Sequence, residues 1–356
     1  MNVRLKWLKD QLNSKGLSGM IILNPMNIRY LTGLTEEGTL VINNKENIFI
    51  TDSRYIESVS NKLTIDDEIG VLNIKEVADN GYEIFFDQNS NVGFEENFVT
   101  YEQYENITRN YKVNLIVTEG LIENQRIIKD EEEIECIKKA CQITDQTFQY
   151  VINHIKKGMT EKDVAFEIEK YMIKNGADGL AFDSIVASGE NSSKPHAVPT
   201  DRVIRSGDIV QFDIGCKYNG YCSDFSRVIF IDEMKEEYKK VYDFILDEQK
   251  KIAISLKEGA NIKQVIKDRT VDYGLKGYEI MHAFGHGVGL DIHETPVLRA
   301  TKDYALKENT ILAIEPGVYF EGRYGIRIED TFLTERFAMA QLTKTSKDYT
   351  VIKLEK

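Results

Sequence analysis

The chain opens with apolar residues at helical spacing: Leu5, Leu8 and Leu12 recur, and Gly16 ends the run. Short apolar stretches follow at Met20 to Leu23, Thr39 to Ile42 and Asn47 to Thr51, the first stopped by Asn24-Pro25. Val92-Gly93-Phe94 and Val113 to Val117 read the same way. Strand-length runs alternating with helical spacing predict a small α/β domain. The character changes between Glu119 and Glu133. From there Ile134, Ile137, Cys141, Thr144, Phe148, Val151 and Ile155 keep helical spacing and predict one long helix. Its charged opening, Lys129-Asp130-Glu131-Glu132-Glu133, reads as a solvated first turn, where acidic side chains favour the helix dipole. The domain boundary is placed just before this helix, giving domains 1–125 and 126–356.

The second domain carries a weak internal repeat. Lys157-Gly158-Met159-Thr160 precedes a helical pattern with Val164 and Ile168. About a hundred residues later, Glu258-Gly259-Ala260-Asn261 precedes another with Val265. Thr160 and Asn261 stand where N-caps belong. The repeat continues into strands: Asp208-Ile209-Val210-Gln211-Phe212-Asp213 matches Thr310-Ile311-Leu312-Ala313-Ile314-Glu315. Each half therefore reads helix, helix, strand hairpin. A carboxylate ends both strand copies, and a second follows in each, Asp224 and Glu329.

Hairpin geometry brings these carboxylates together. If Tyr218-Asn219 form a two-residue turn, Asp213 lies across from Asp224; if Asn219-Gly220 form it, Asp224 faces Gly215 and still shares a face with Asp213. A three-residue loop Glu321-Gly322-Arg323 would oppose Glu315 to Glu329, with Arg327 on the same face. Four carboxylates in one pocket repel each other and call for a cation. Nearby runs His282-Ala283-Phe284-Gly285-His286-Gly287-Val288-Gly289-Leu290-Asp291-Ile292-His293-Glu294, which holds three of the chain's five histidines. Its glycines permit close backbone approach. The segment follows no Rossmann-like strand and opens no helix, so a nucleotide loop is rejected. Carboxylate oxygens with one imidazole suit a pair of Mn²⁺, Co²⁺ or Zn²⁺ ions. Such ions, about 3.5–4 Å apart, share a bridging water and hold the resulting hydroxide against a carbonyl.

Composition narrows the partners. A net charge of −13 argues against nucleic acid and against an anionic membrane surface. Met1 to Asp10 has no continuous apolar stretch after its basic residues, and no run is long enough to span a bilayer, so a cytoplasmic protein is expected. The four cysteines lack metal-ligand spacing and read as free thiols of a reducing compartment.

These residues resemble the pita-bread metallopeptidases, the family of methionine aminopeptidase, aminopeptidase P and prolidase. The likeness rests on Pro195-His196, Gln211-Phe212-Asp213-Ile214-Gly215, Asp224, the His282 to His293 segment, Ile314-Glu315-Pro316-Gly317 and Arg327-Ile328-Glu329-Asp330. The first 120 or so residues resemble a creatinase-type N-terminal domain through Asn27-Ile28-Arg29-Tyr30-Leu31-Thr32-Gly33 and Thr51-Asp52-Ser53-Arg54-Tyr55. The resemblance implies a mixed α/β (α+β) chain whose catalytic domain has a pseudo-twofold repeat and a curved antiparallel sheet. It implies five metal ligands: Asp213 on one ion, Asp224 and Glu329 bridging, His286 and Glu315 completing the second. Glu315 would be the general base. His196 and His293 would hydrogen-bond the substrate carbonyl and its oxyanion, His282 would line the pocket, and Arg327 would orient ligand carboxylates.

The implied enzyme is an Xaa-Pro dipeptidase or aminopeptidase with two divalent ions, Mn²⁺ foremost, acting on small peptides with proline second, and a homodimer. Creatinase shares the fold but lacks a complete ligand set, and all five ligands stand here. Substrate length is open. Many prolidases carry Arg directly after the proline matching Pro296, whereas this chain has Val297 there and Arg299 two residues on; the short span from Glu315 to Glu329 nevertheless resembles compact prolidases. A non-catalytic binding protein on the same scaffold is the alternative. A serine or cysteine hydrolase lacks a nucleophile elbow or paired base here.

Overall fold

The alternating pattern of the first third becomes one mixed sheet. In the computed structural model, which describes residues 2–64, 68–301 and 303–354, the chain divides into two compact units, Met1–Arg126 and Ile127–Lys356. The first holds six strands in the order Ile69–Asn73, Asn47–Thr51, Thr39–Asn43, Gly19–Ile22, Asn91–Phe94, Asn114–Val117. Helix Val3–Ser14 buries Leu5, Leu8 and Leu12, and the left-handed Gly16 follows it. The edge strand Ile69–Asn73 is only partly buried. Its weak apolar pattern gave the sequence reading nothing to mark. Beneath the sheet end, the Glu95 carboxylate accepts from the Leu23 and Asn24 backbone N–H groups and from Asn27 Nδ2.

The second unit begins with helix Glu131–Ile152. Asp130 caps it, and Glu133 reaches back to the Asp130 N–H, a reciprocal cap contributing about 1 kcal/mol. Ile155 lies beyond the helix end yet is buried. One expectation is corrected here. The charged opening is not simply solvated: Lys129 is 1 % exposed, and its Nζ lies 2.9 Å from Glu294 Oε2. Glu133 is buried as well. An isolated buried ammonium would be prohibitively costly, so the distant carboxylate is what admits Lys129 to the interior. Removing either partner of such a pair costs about 3–5 kcal/mol.

The internal repeat is realised strand by strand. Thr160 and Asn261 cap helices Glu161–Lys174 and Ile262–Lys276 through their side chains. One sheet orders Val351–Ile352, Phe225–Ile231, Ile209–Ile214, Ile185–Ser188; the other orders Gly285–Gly287, Ile311–Ile314, Asp330–Thr334, Met339–Gln341. Ser188 pairs with Val210 as Gly287 pairs with Leu312. The two sheets meet where Glu329 N–H donates to Ser226 O at 3.0 Å. The apolar back of the first sheet packs on the long helix, with the Phe148 ring edge-on to Phe212 and Phe225 at 5.6 and 5.3 Å.

Turn chemistry sets the registers. Asn219 and Gly220 both have positive φ, 47° and 79°, and Tyr218 pairs with Tyr221. This is the Asn-Gly turn of type I′ character. The same register pairs Ile214 with Phe225 and Asp213 with Ser226, so Asp224 opposes Gly215. A Cβ at Gly215 would meet Ser223 O at 2.1 Å. In the second hairpin Phe320 pairs with Tyr324 around Glu321-Gly322-Arg323, and Gly317 with Arg327. Ile314 pairs with Asp330 in that same register, which sets Glu315 opposite Glu329. Among the described residues no helix is long and apolar enough to cross a membrane.

Candidate metal centre

Period-two geometry on two hairpins delivers carboxylates to one place. Asp213, Asp224, Glu315, Glu329 and His286 all line a single cavity of about 570 Å³, together with His196, His282, His293 and Arg327. Asp224, His286 and Glu329 are buried, and each offers a donor atom within 4.8 Å of the others. His286 Nε2 lies 3.3 Å from Asp224 Oδ2 and 3.8 Å from Glu315 Oε1. Its Nδ1 lies 3.0 Å from Gly287 O. A ring N–H donated to that carbonyl leaves Nε2 free to face the carboxylates. His282 Nδ1 is 3.6 Å from Glu315 Oε2. The His286 and His293 rings meet edge-on at 4.4 Å, while His196 and His293 are both exposed within the cavity.

The only buried guanidinium among the described lining residues is that of Arg327. Its Nη2 reaches Asp213 Oδ2 at 2.5 Å, its Nε donates to Ser226 Oγ at 3.0 Å, and Ser226 Oγ donates to Glu329 Oε2 at 2.8 Å. Burial weakens its charge, but Tyr319, Asp213, Glu329 and Glu315 together more than restore it. One arginine and one imidazolium cannot balance four carboxylates. Burial, then the neighbouring Asp224, Asp213 and Glu315, push Glu329 well above the ordinary carboxylate range. Burial raises Glu315 to about 7, against the pull of His286 and Arg327. Burial also raises Asp224, opposed by its hydrogen bond to His286. For His286, burial favours the neutral ring, but the Asp224 bond and charge and Glu315 outweigh it, giving about 9. Burial and the Arg327 charge lower His282 to about 4.

This arrangement fits divalent cations on structural grounds. Asp213 Oδ1 is buried with no hydrogen-bond partner, an orphaned acceptor of the kind that a cation satisfies. The donors are oxygen-rich with one imidazole, the set suited to Mn²⁺, Co²⁺ or Zn²⁺. A cation would also offset the burial and the mutual repulsion that hold three of the carboxylates toward their protonated forms. Burial pushes the Cys222 thiol up to about 12 and raises Cys141 and Cys216; none of the three is poised as a nucleophile.

Sequence reasoning missed three supporting side chains. Tyr319 is buried, and its hydroxyl lies 3.0 Å from His282 Nε2 and accepts from Arg327 Nη1. Ser226 joins Arg327 to Glu329. Thr331 Oγ1 donates to Asp224 O at 2.8 Å. The alternation that linked Arg327 to Glu329 also carries Glu315 through Gly317 to Tyr319, so the signal for Tyr319 was present. Ser226 needed the true turn register before its position opposite Asp213 could be read.

The chain is similar to known proteins along nearly its whole length. Residues 135–336 match Metallopeptidase family M24, and residues 4–128 match the Creatinase/Prolidase N-terminal domain. The chain is 33 % identical to the Xaa-Pro dipeptidase of Pyrococcus furiosus over 98 % of its own length and 99 % of that protein's. The solved Xaa-Pro dipeptidase from Bacillus anthracis superposes with a TM-score of 0.90 at 33 % identity, covering 98 % of this chain and 99 % of that one. The X-Pro aminopeptidase from Thermotoga maritima gives 0.88 at 30 % identity, with the same coverages. With its paired carboxylate hairpins on a pita-bread domain that follows a creatinase-type N-terminal domain in the sequence, this chain belongs to metallopeptidase family M24 and is a metal-dependent hydrolase.

Proposed function

We propose that this chain hydrolyses the Xaa-Pro bond at the N-terminus of dipeptides or short peptides. The observation that carries the reading is the convergence of Asp213, Asp224, His286, Glu315 and Glu329 on one cavity wall, with Asp213 Oδ1 left without a partner. Asp213, Asp224, His286, Glu315 and Glu329 would hold two divalent ions, Mn²⁺ foremost. Such a pair, when bound, acidifies a shared water and polarises the scissile carbonyl.

The chain's own side chains supply the rest. Glu315 takes the proton of the attacking water and passes it to the departing proline nitrogen as the C–N bond breaks. His196 and His293 present exposed rings to the carbonyl oxygen and donate to it as negative charge develops. His282 is held by the Tyr319 hydroxyl and by Ala283 O at 2.7 Å, so a neutral ring of fixed orientation lines the pocket. Arg327 fixes Asp213. Proline's tertiary amide has no N–H to offer a strand edge, so recognition falls to pocket walls. Phe182, Val198, Ile292 and Val297 provide apolar ones.

Substrate length turns on the far end of the cavity. Val297 is exposed there, at the position where the resemblance to prolidases leads one to expect arginine, but Arg299 lines the same cavity and offers a guanidinium to a free carboxylate. The similar proteins named above include both dipeptidases and an aminopeptidase. A paired assay on Xaa-Pro dipeptides and Xaa-Pro-Xaa peptides decides: turnover of dipeptides alone makes the protein a prolidase, and equal or better turnover of longer peptides makes it an aminopeptidase P. Activity that survives complete metal removal would refute the metal reading, and a fully metal-loaded chain inert toward both substrates would leave the non-catalytic alternative. We extend the reading to a homodimer in the cytoplasm; sedimentation of the full chain tests the first, and fractionation of cells the second.

A further inference from the structure

His196 and His293 sit on loops that leave topologically equivalent strands, Ile185–Ser188 and Gly285–Gly287. The His196 loop spans residues 189–200 and has little regular structure beyond the short turn Gly189–Ser193. A loop of that kind does not by itself hold a ring in place. Its anchor is a carboxylate from another element. Glu161, in the first turn of helix Glu161–Lys174, is fully buried. Its Oε1 accepts from Ser188 N at 2.6 Å and Ser188 Oγ at 2.7 Å. Its Oε2 accepts from Asn191 Nδ2 at 2.9 Å, Thr200 N at 2.9 Å and Thr200 Oγ1 at 2.7 Å. Five donors therefore converge on one carboxylate, and they come from the entry, middle and exit of the loop. A buried anion so fully hydrogen-bonded is a rigid staple, because losing any one contact leaves a polar group unsatisfied.

The staple extends to the histidine's own backbone. Asn191 Nδ2 also lies 3.3 Å from Val198 O, and Arg327 Nη1 donates to Pro195 O at 3.2 Å. Ala197 is buried against Ile185 and Ala187. The His196 main chain is thus pinned on both sides, by Arg327 before it and by the Glu161–Asn191 pair after it. Among the described residues no side chain hydrogen-bonds the ring, so its placement rests on the loop that carries it.

We propose that Glu161 is a positioning residue for His196, acting through Asn191 and Thr200. The inference rests on the reading that His196 contacts the substrate carbonyl. The experiment separates the two. The metal-free full-length chain, labelled in its histidine rings, is followed by NMR in the wild type, Glu161→Gln and Asn191→Ala. Glutamine keeps the shape but turns an acceptor into a donor facing donors. The expected result is that the His196 ring signal moves or broadens while those of His154, His282, His286 and His293 stay. Asn191→Ala removes one of the five donors to Glu161 together with the link to Val198 O and the acceptor of Lys194 Nζ, leaves Ser188 and Thr200 on the carboxylate, and gives a smaller change in the same signal, which serves if Glu161→Gln does not fold.

Kinetics on an Xaa-Pro dipeptide complete the test. Glu161→Gln is expected to lower kcat by about 10- to 100-fold, the scale of an ångström-sized misplacement, with KM nearly unchanged. In a His196→Ala background it should have almost no further effect. An unmoved His196 signal, five histidines moving together, or losses that simply multiply in the double variant would each overturn the proposal. If His196→Ala alone keeps full kcat, the substrate role of His196 fails, and the ring signal still decides whether Glu161 positions it.

Discussion

The two copies of the strand repeat use the same pairing to opposite ends. In the second, His286 sits opposite Ala313; in the first, Ala187 sits opposite Gln211. The large side chain has changed strands. His286 turns its imidazole toward the carboxylates. Gln211 is buried, accepts from the Arg327 backbone N–H at 2.8 Å, and donates to Phe212 O at 2.7 Å. One copy spends its bulky position on a donor for the site, the other on tying the second copy's Arg327 strand in place. A duplicated scaffold can thus keep its register while dividing chemistry from cross-linking between its halves.

The sharpest way to break this comparison is to remove the asymmetric donor. His286→Ala should lose divalent-cation binding and bring kcat/KM on Xaa-Pro dipeptides to background. Adding Ala187→His should not restore either, because Gln211 fills the space that Ala313 leaves open in the other copy. Recovery of activity in that double variant would show the copies to be interchangeable.

Next in size is the response of the metal-stripped chain to pH. Glu315 rises from an ordinary 4.5 to about 7, chiefly through burial. A raised carboxylate stabilises the fold below its unfolded value, and that contribution is lost as pH rises through about 7. His286 rises from 6.5 to about 9, burial being outweighed by Asp224 and Glu315. Its contribution is complete below 6.5 and is lost as pH rises through about 9. Both act in one direction, and His282, depressed to about 4, opposes them only below pH 6.5, so the Tm of stripped protein should fall chiefly between about pH 6.5 and about pH 9. Saturating Mn²⁺ should flatten the decline and release protons on binding, which calorimetry in buffers of different ionisation heat will show. A flat profile without metal contradicts this electrostatic picture.

Gln211→Ala tests the structural copy. It leaves the Arg327 N–H buried without a partner, so denaturant unfolding should show a loss of about 1–3 kcal/mol while cation stoichiometry is kept. Arg299→Ala should do least. A rise in dipeptide KM of about two- to fivefold, the size of an exposed ion pair, with longer peptides unaffected, would assign the guanidinium to a free carboxylate.

Much of this was legible in the chain. Leu5, Leu8 and Leu12, the N-caps Thr160 and Asn261, and the matched strand ends at Asp213 and Glu315 each follow from local rules of period and capping. Asn219-Gly220 was left open against Tyr218-Asn219, and the positive φ values decided it. What stayed hidden depends on distant partners. Lys129 read as solvent-facing because its carboxylate lies 165 residues away. Glu161 drew no reading at all, since its donors Ser188, Asn191 and Thr200 lie on and just before a loop that no periodicity describes. Strand Ile69–Asn73 was missed for a weaker reason, a half-buried face with little alternation.

The seam between the two sheets has one more consequence. Glu329 N–H meets Ser226 O there, so a cavity carboxylate forms part of the joint itself. The carboxylates of one hairpin come within reach of the other's only after both sheets have docked, which makes the docking of the sheets and the birth of cation affinity the same event. A cation bound here stabilises the docked state by mass action and has little hold on either half alone. Metal supply would then govern how much of this protein survives in a cell, as well as how fast it works.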